Sequence, residues 1–134
     1  MTDEERIELI RLRKDNAHRT LDEARLMLDN GYWNGAVNRM YYASFYAVTA
    51  LLIQHEIKAQ THSGVRQMLS LYFVKTGKLS TSSMRFYSDL FAARQDGDYD
   101  DFVYFDEEVT KQMYSMTVEF IETIDNLIDR TTAL

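Results

Sequence analysis

The most apolar stretch of this sequence carries polar side chains that could do chemistry. Residues 32–52 read YWNGAVNRMYYASFYAVTALL, and a helical period of about 3.6 residues places apolar side chains all round this segment. Asn38, Arg39, Tyr42 and Tyr46 interrupt it with an amide, a guanidinium and two phenols. Because unpaired polar atoms are costly inside a protein, these groups either form a structural network or line a polar pocket or interface, for example beside Arg94.

Arg94 lies next to an unusually acidic segment. Residues 96–108 contain seven carboxylates and no lysine or arginine. Residues 95–105 show no helical period, so we expect an acidic loop that follows a fourth helix with Arg94 in its last turn. A cation at that position complements the helix dipole, and Asp98 is a candidate partner for it. If the polar groups of residues 32–52 form a structural network, an example is a pair between Arg39 and an acid of residues 96–101.

The acidic segment also admits a comparison with a calcium-binding loop. Asp96, Asp98 and Asp100 occupy the first, third and fifth places of such a loop, and Glu107 occupies the twelfth. The sixth place needs glycine for the turn, and here it is Asp101. We therefore predict no metal site, and no motif indicates a cofactor.

Length and composition indicate one helical domain covering residues 1–134. The chain has 134 residues, no proline and only five glycines, which leaves few of the turn residues that a β-sandwich or barrel requires. The absence of cysteine excludes disulfides and thiolate metal sites. Met1 is followed by TDEERIE and not by a basic and then apolar segment, so we expect a cytoplasmic protein without a signal peptide.

The charge pattern limits two other classes of function. A membrane span at residues 32–52 is excluded because Asn34, Asn38 and Arg39 leave fewer apolar residues than the roughly 20 that a bilayer needs. The net charge of −6 argues against a sequence-independent grip on nucleic acid, which needs a basic field. Any contact with RNA must therefore come from a local patch or from assembly.

Apolar spacing and capping residues predict five helices, three long and two short, in one up-and-down bundle. The first helix spans Asp3–Asp29 and is capped by Thr2 or Asp3. The third begins at Thr61 or Ser63, the fourth at residues 80–83, and the last follows Asp106. The expected apolar stripes are Ile7, Ile10, Ala17, Leu21, Ala24 and Leu28 in the first helix, Val65, Met68, Leu69, Tyr72 and Phe73 in the third, and Val109, Met113, Met116, Phe120, Ile124 and Leu127 in the last.

Three segments of the chain resemble the HEPN domain family: AVNRMYYASFYAVTALL at residues 36–52, THSGV at 61–65 and AARQDGDYD at 92–100. The first is the most specific, and the resemblance is closest to stand-alone bacterial and archaeal members. It implies a bundle of four or five helices, frequently a homodimer. It also implies a partner, a minimal nucleotidyltransferase, with which such proteins often form a toxin–antitoxin module.

The resemblance further implies a site. Many members of the family resemble metal-independent ribonucleases whose motif is an arginine followed, after four to six residues, by a histidine, at a cleft between two protomers. Arg94 matches the arginine, but Tyr99, Asp100 and Asp101 stand where the histidine is expected. His62, from another part of the fold, could substitute for it as the group that transfers a proton.

Two hypotheses follow. In the first, the chain is a HEPN-like component of a toxin–antitoxin module and acts with a minimal nucleotidyltransferase, and whether it cuts RNA itself is open. If it does, Arg94 contacts the phosphate and the site is completed by Tyr99, Asp98, Arg39, Tyr42 and His62. In some relatives the nucleotidyltransferase adenylylates a tyrosine beside the motif, and the candidates here are Tyr99 and Tyr104. In the second, the domain is catalytically inactive and binds a protein or a nucleotide through a pocket at Arg39 and Arg94.

Overall fold

The computed structural model describes residues 1–99 and 104–132, with side chains at all of them except positions 99, 131 and 132. The described part is all-α, which confirms the predicted fold class. Its elements are α1 (Asp3–Asp29), α2 (Trp33–Gln54), α3 (His62–Leu69), α4 (Thr81–Tyr99) and α5 (Glu107–Thr132), with a π-helical turn, Ser70–Val74, that continues α3. None of the helices within these residues combines the length and the apolar character needed to cross a membrane.

The predicted helix starts are confirmed by hydrogen bonds to their capping side chains. Thr2 Oγ1 accepts from the Glu5 N–H at 3.1 Å, and the Glu5 carboxylate accepts in return from the Thr2 N–H. Thr61 Oγ1 accepts from the Gly64 N–H at 2.8 Å, and Asp106 Oδ1 accepts from the Val109 N–H at 2.8 Å. These caps satisfy donors that have no partner within the helix, so they fix where α1, α3 and α5 begin.

The central position of α2 is also confirmed. Eleven of its residues are buried, among them Val37, Met40, Tyr41, Val48 and Leu51. Side-chain contacts between helices show that its neighbour α1 is antiparallel to α5, because Lys14 pairs with Asp129 and His18 lies 2.6 Å from Asp125. The helices around α2 therefore shield most of its circumference from water and form one core with it.

The prediction of a loop after Arg94 is wrong for residues 95–99. These residues are the last five of α4, which makes α4 a helix of 19 residues and not a short one ending at Arg94. The segment lacks an apolar period because the side of α4 that faces α2 is polar here and meets asparagine side chains (described below). Asp96 and Asp98 therefore lie in a helix, whereas a calcium-binding loop would need them in a turn.

Some residues of the predicted apolar stripes are exposed. Ile7 keeps 67% of its surface accessible and Met116 keeps 48%; Tyr72 and Val109 are exposed as well. Ile7 lies seven residues before Lys14, whose partner on α5 is Asp129, so the described end of α5 at Thr132 stops short of it. Spacing alone identifies the side of a helix that faces the core, but not how far the neighbouring helix extends along it.

Candidate functional site

Three polar side chains of α2 form hydrogen bonds with the last turns of α4. They are Asn34, Asn38 and Tyr42, which are spaced by four residues and therefore lie on one face of α2. The bonds are from Asn34 Nδ2 to the Gly97 carbonyl at 3.4 Å, from Asn38 Nδ2 to Asp98 Oδ2 at 2.9 Å, and from Arg94 Nη2 to the Tyr42 hydroxyl at 2.8 Å. Asn34 was missing from the predicted site, although its spacing from Asn38 and Tyr42 is a signal for it in the sequence.

The chain that follows α4 is held at the same place. The Asn34 carbonyl oxygen accepts from the Phe105 N–H at 3.1 Å. A Cβ atom at Gly97 would lie 2.9 Å from Cε2 of the Phe105 ring, so a larger residue would displace this ring. Asn34 thus connects the end of α4 to the segment that precedes α5. These hydrogen bonds restrict the position of the turns of α4 that carry Arg94 and Asp98.

Arg94 lies in a largely enclosed position between two tyrosines. Its side chain is 12% exposed, and its guanidinium carbon is 5.4 Å from the centre of the Tyr41 ring and 5.3 Å from that of Tyr42. Its Nε lies 3.5 Å from Asp98 Oδ2, which is an ion pair and too long for a good hydrogen bond. Nη1 makes no hydrogen bond within the described part of the chain, so the outer edge of the guanidinium is available to an anion.

Arg39 lies on the other side of this cluster, and its predicted partner is tested only in part, because Asp100 and Asp101 lie outside the described residues. Its Nη1 lies 3.4 Å from Glu23 of α1, and no acid of the described residues 96–99 pairs with it. Its Nε and Nη2 donate to Asn38 Oδ1 at 3.0 and 2.7 Å, and its guanidinium carbon lies 5.2 Å from the centre of the Tyr42 ring. The guanidinium groups of Arg39 and Arg94 therefore both lie against the Tyr42 ring, so Arg94 of α4 and these residues of α2 lie in one cluster.

His62, the first residue of α3, reaches the same cluster through Tyr41. Its Nδ1 lies 2.7 Å from the Tyr41 hydroxyl, and its ring centre lies 4.5 Å from that of Phe45. Burial, and then the charge of Arg94, lower the pKa of His62 below its ordinary value. Burial also raises the pKa of Tyr41 to about 12. At neutral pH the imidazole is therefore uncharged, which is the state a general base requires.

The remaining predicted site residues are placed as follows. Tyr99 belongs to the last turn of α4, but the structure does not describe its side chain. Asp100 and Asp101 lie outside the described residues. Tyr104 is 75% exposed. Tyr46 is half-buried, and its ring centre is 6.3 Å from that of Tyr42.

The lowered pKa of His62 predicts a pH dependence of stability. The unfolded chain takes up the proton near the ordinary pKa of 6.5, whereas the folded protein does so only at lower pH. The free energy of unfolding therefore falls as the pH drops below that value. We expect wild type to lose more stability than His62→Gln between about pH 7 and about pH 5 in urea denaturation. Carboxylates contribute equally to both proteins, so identical losses would contradict this assignment.

A comparison of sequences agrees with this architecture. The family model described as the HEPN domain matches residues 10–127. The chain belongs to the HEPN family. The predicted family resemblance is thereby confirmed, and the matched region contains α2, α3 and α4 and with them every described residue of the cluster.

Individual HEPN relatives cover the chain to different extents. A UPF0332 protein of Thermotoga maritima is 38% identical over 125 residues, which are 93% of this chain and 95% of that protein. Two proteins of Methanocaldococcus jannaschii, each named "Putative toxin", are 34% and 32% identical over 86 and 83 residues. The matches span 58% and 62% of these two proteins, and 64% and 62% of this chain.

Proposed function

We propose that this HEPN protein is the toxin-like component of a two-component module with a minimal nucleotidyltransferase, and that it cleaves RNA without a metal ion. One observation carries the proposal. Arg94 and His62 meet at the same tyrosine, because the Arg94 guanidinium lies 5.4 Å from the centre of the Tyr41 ring and His62 Nδ1 lies 2.7 Å from its hydroxyl. The family motif obtains an arginine and a histidine from one segment, whereas here the fold supplies them from α4 and α3.

The proposed reaction assigns one task to each side chain. Arg94 holds the scissile phosphate with its free Nη1 edge, while Tyr42 and Asp98 fix the orientation of the guanidinium. His62 takes the proton of the 2′-hydroxyl through Nε2, in the tautomer that donates from Nδ1 to the Tyr41 hydroxyl. The 2′-oxygen attacks phosphorus, the bond to the 5′-oxygen breaks, and that oxygen takes up a proton. The products are a 2′,3′-cyclic phosphate and a 5′-hydroxyl.

The decisive experiment is cleavage of end-labelled RNA in EDTA by wild type and by His62→Gln. We expect cleavage by wild type to end in cyclic phosphates, and the variant to be slower by about a hundredfold, which is the low end of what a general base contributes. His18→Gln is the matched control, because His18 is exposed on α1 and pairs with Asp125 of α5. Equal rates for all three proteins would overturn the role of His62.

The second candidate is a catalytically inactive domain that binds a protein or a nucleotide through Arg39 and Arg94. It is favoured by the position of Asp98, whose carboxylate already offsets the charge of Arg94 at 3.5 Å and accepts from Asn38. A phosphate would have to bind beside this carboxylate. The absence of any cleavage that depends on Arg94 or His62, together with retained binding of a ligand, would favour this candidate over the ribonuclease.

The proposed nucleotidyltransferase partner and the proposed homodimer can be tested independently of RNA cleavage. The 75% exposure of Tyr104 supports it as an acceptor of AMP from ATP, with transfer to the phenol oxygen and release of pyrophosphate; Tyr99 is the other candidate. Incubation with labelled ATP and the nucleotidyltransferase should label wild type and not the Tyr104→Phe variant. Loss of label only in Tyr99→Phe would reassign the acceptor. Sedimentation of the purified protein tests the proposed homodimer.

A further inference from the structure

Arg13 differs from most of the other arginines of α1 because it is half-buried and unpaired. It makes no ion pair or hydrogen bond with any residue in 1–99 or 104–132. By contrast, Arg6 pairs with Asp3 and Glu56, Arg11 with Glu8 and Asp15, and Arg25 with Asp29. In a chain with 21 acidic and 15 basic residues, a guanidinium without a carboxylate partner among the described residues is available to an external anion.

Arg13 lines a cavity of about 220 Å³ between α1, α2, the segment that follows α2, and the start of α3. Its walls combine apolar side chains with polar groups, and Phe45 supplies an aromatic ring. Thr49 and Gln60 supply its polar groups, in addition to Arg13. The Thr49 hydroxyl donates to the Tyr46 carbonyl at 2.8 Å, so its oxygen still accepts, and the Gln60 amide offers both a donor and an acceptor.

Phe45 lines the cavity and also contacts the proposed catalytic cluster. The ring centre of Phe45 is 4.5 Å from that of His62 and 6.3 Å from that of Tyr42, the residue that receives the hydrogen bond of Arg94. Tyr42, Phe45 and Tyr46 are half-buried and lie next to one another on α2. We infer that a ligand extends from Arg94 along these half-buried rings to the cavity.

We propose that this cavity binds a nucleotide of the RNA strand next to the phosphate held by Arg94. The base stacks on Phe45, its polar edge meets Thr49 and Gln60, and Arg13 pairs with the adjoining phosphate. The volume is below the roughly 300–1,000 Å³ of pockets for whole small molecules, so it suits a single base. Single-stranded RNA repeats a planar base and a negative charge at every nucleotide, which matches an aromatic wall beside an unpaired arginine. This inference rests on the proposed function.

The test is binding of a fluorescent RNA carrying 2′-O-methyl groups, which cannot be cleaved by attack of the 2′-oxygen. We expect Arg13→Gln to weaken binding about tenfold and to reduce the slope of log K against log salt by about 0.7, the loss of one phosphate contact on a single strand. Phe45→Leu should weaken binding about tenfold with an unchanged slope. Arg13→Lys keeps the charge and should keep the slope.

Matched controls come from the same protein. Arg19→Gln removes an exposed charge from α1, and Phe86→Leu shortens a half-buried ring that packs against Phe120 of α5. Both should bind RNA as wild type does, and thermal unfolding of all the variants verifies that they are folded. Binding by Arg13→Gln and Phe45→Leu equal to that of the controls would overturn the inference.

Other outcomes separate this inference from the proposed function. If the cavity variants bind normally but His62→Gln loses cleavage, only the subsite is wrong; if wild type neither binds nor cleaves RNA, both proposals fail. Binding of AMP or UMP as tight as that of RNA, and dependent on Arg13, would make the cavity a site for a free nucleotide. A change in sedimentation caused by Arg13→Gln would make it an interface between copies. Either result would overturn the assignment to RNA.

Discussion

Replacement of Arg94 by alanine is expected to slow RNA cleavage by about a hundredfold to a thousandfold. That is the range for removal of one donor that stabilises the charge of a transition state. The effect should fall on kcat, because the guanidinium is already fixed by Tyr42 and Asp98 before the substrate arrives. Arg94→Lys should recover part of the rate, since lysine keeps the charge but loses the planar fork of donors. Single-turnover kinetics on labelled RNA provide the measurement.

The matched control for Arg94 is Arg85, on the same helix. Arg85 is exposed and makes no ion pair or hydrogen bond with the described residues. Arg85→Ala removes the same charge from α4 but leaves the cluster intact, so its rate should equal that of wild type. If both variants lost activity equally, Arg94 would act only through the net charge of the helix, and its proposed contact with phosphate would be refuted.

The second large effect concerns stability. Leu51 has no exposed surface and belongs to α2, the helix that the others surround. Leu51→Ala should lower the free energy of unfolding by about 3 kcal/mol, because it removes buried methyl groups and leaves a cavity. The free energy of unfolding of small domains is roughly 5–15 kcal/mol, so this loss should clearly lower the urea concentration at the unfolding midpoint.

Urea denaturation of Leu51→Ala should be compared with that of Leu26→Ala. Leu26 is 65% exposed on α1, so its truncation should change the free energy of unfolding by less than about 0.5 kcal/mol. Comparable losses at the two positions would mean that α2 is not the centre of the core.

The parts of the fold that were predictable depend on local signals. Thr2, Thr61 and Asp106 cap helices as expected because an N-cap involves only the next three residues. The buried α2 was predictable because its apolar residues occupy every side of the helix. By contrast, nothing local shows that the described part of α5 stops short of Ile7, since that depends on the length of a distant helix.

The end of α4 was missed for a different reason. Residues 95–99 are polar, and analysis by apolar period assigns such residues to a loop. Here the stabilising contacts are hydrogen bonds from Asn34 and Asn38 of α2. A polar interface between helices leaves no apolar period, so only the structure shows that these asparagines and residues 97 and 98 belong together.

The candidate site was predictable in its residue types but not in all of its pairings. Arg94, Tyr42, Asp98 and Asn38 were named from the sequence and do lie together. Within the described residues the partner of Arg39 is Glu23, whereas Asp98 is directed to Asn38 and Arg94. The link between His62 and Tyr41 spans 21 residues, and no periodicity indicates a contact between two separate helices.

A double-mutant cycle between Arg94 and His62 tests most directly whether the two side chains form one catalytic unit. Single-turnover cleavage of one RNA is measured for wild type, Arg94→Ala, His62→Gln and the double variant. When two residues act together, the factors by which the single variants lose cleavage rate do not multiply. The double variant should therefore cleave about as slowly as the slower single variant. If the two losses multiply, or if His62→Gln cleaves like wild type, Arg94 and His62 do not work as a pair, and the proposed site is wrong.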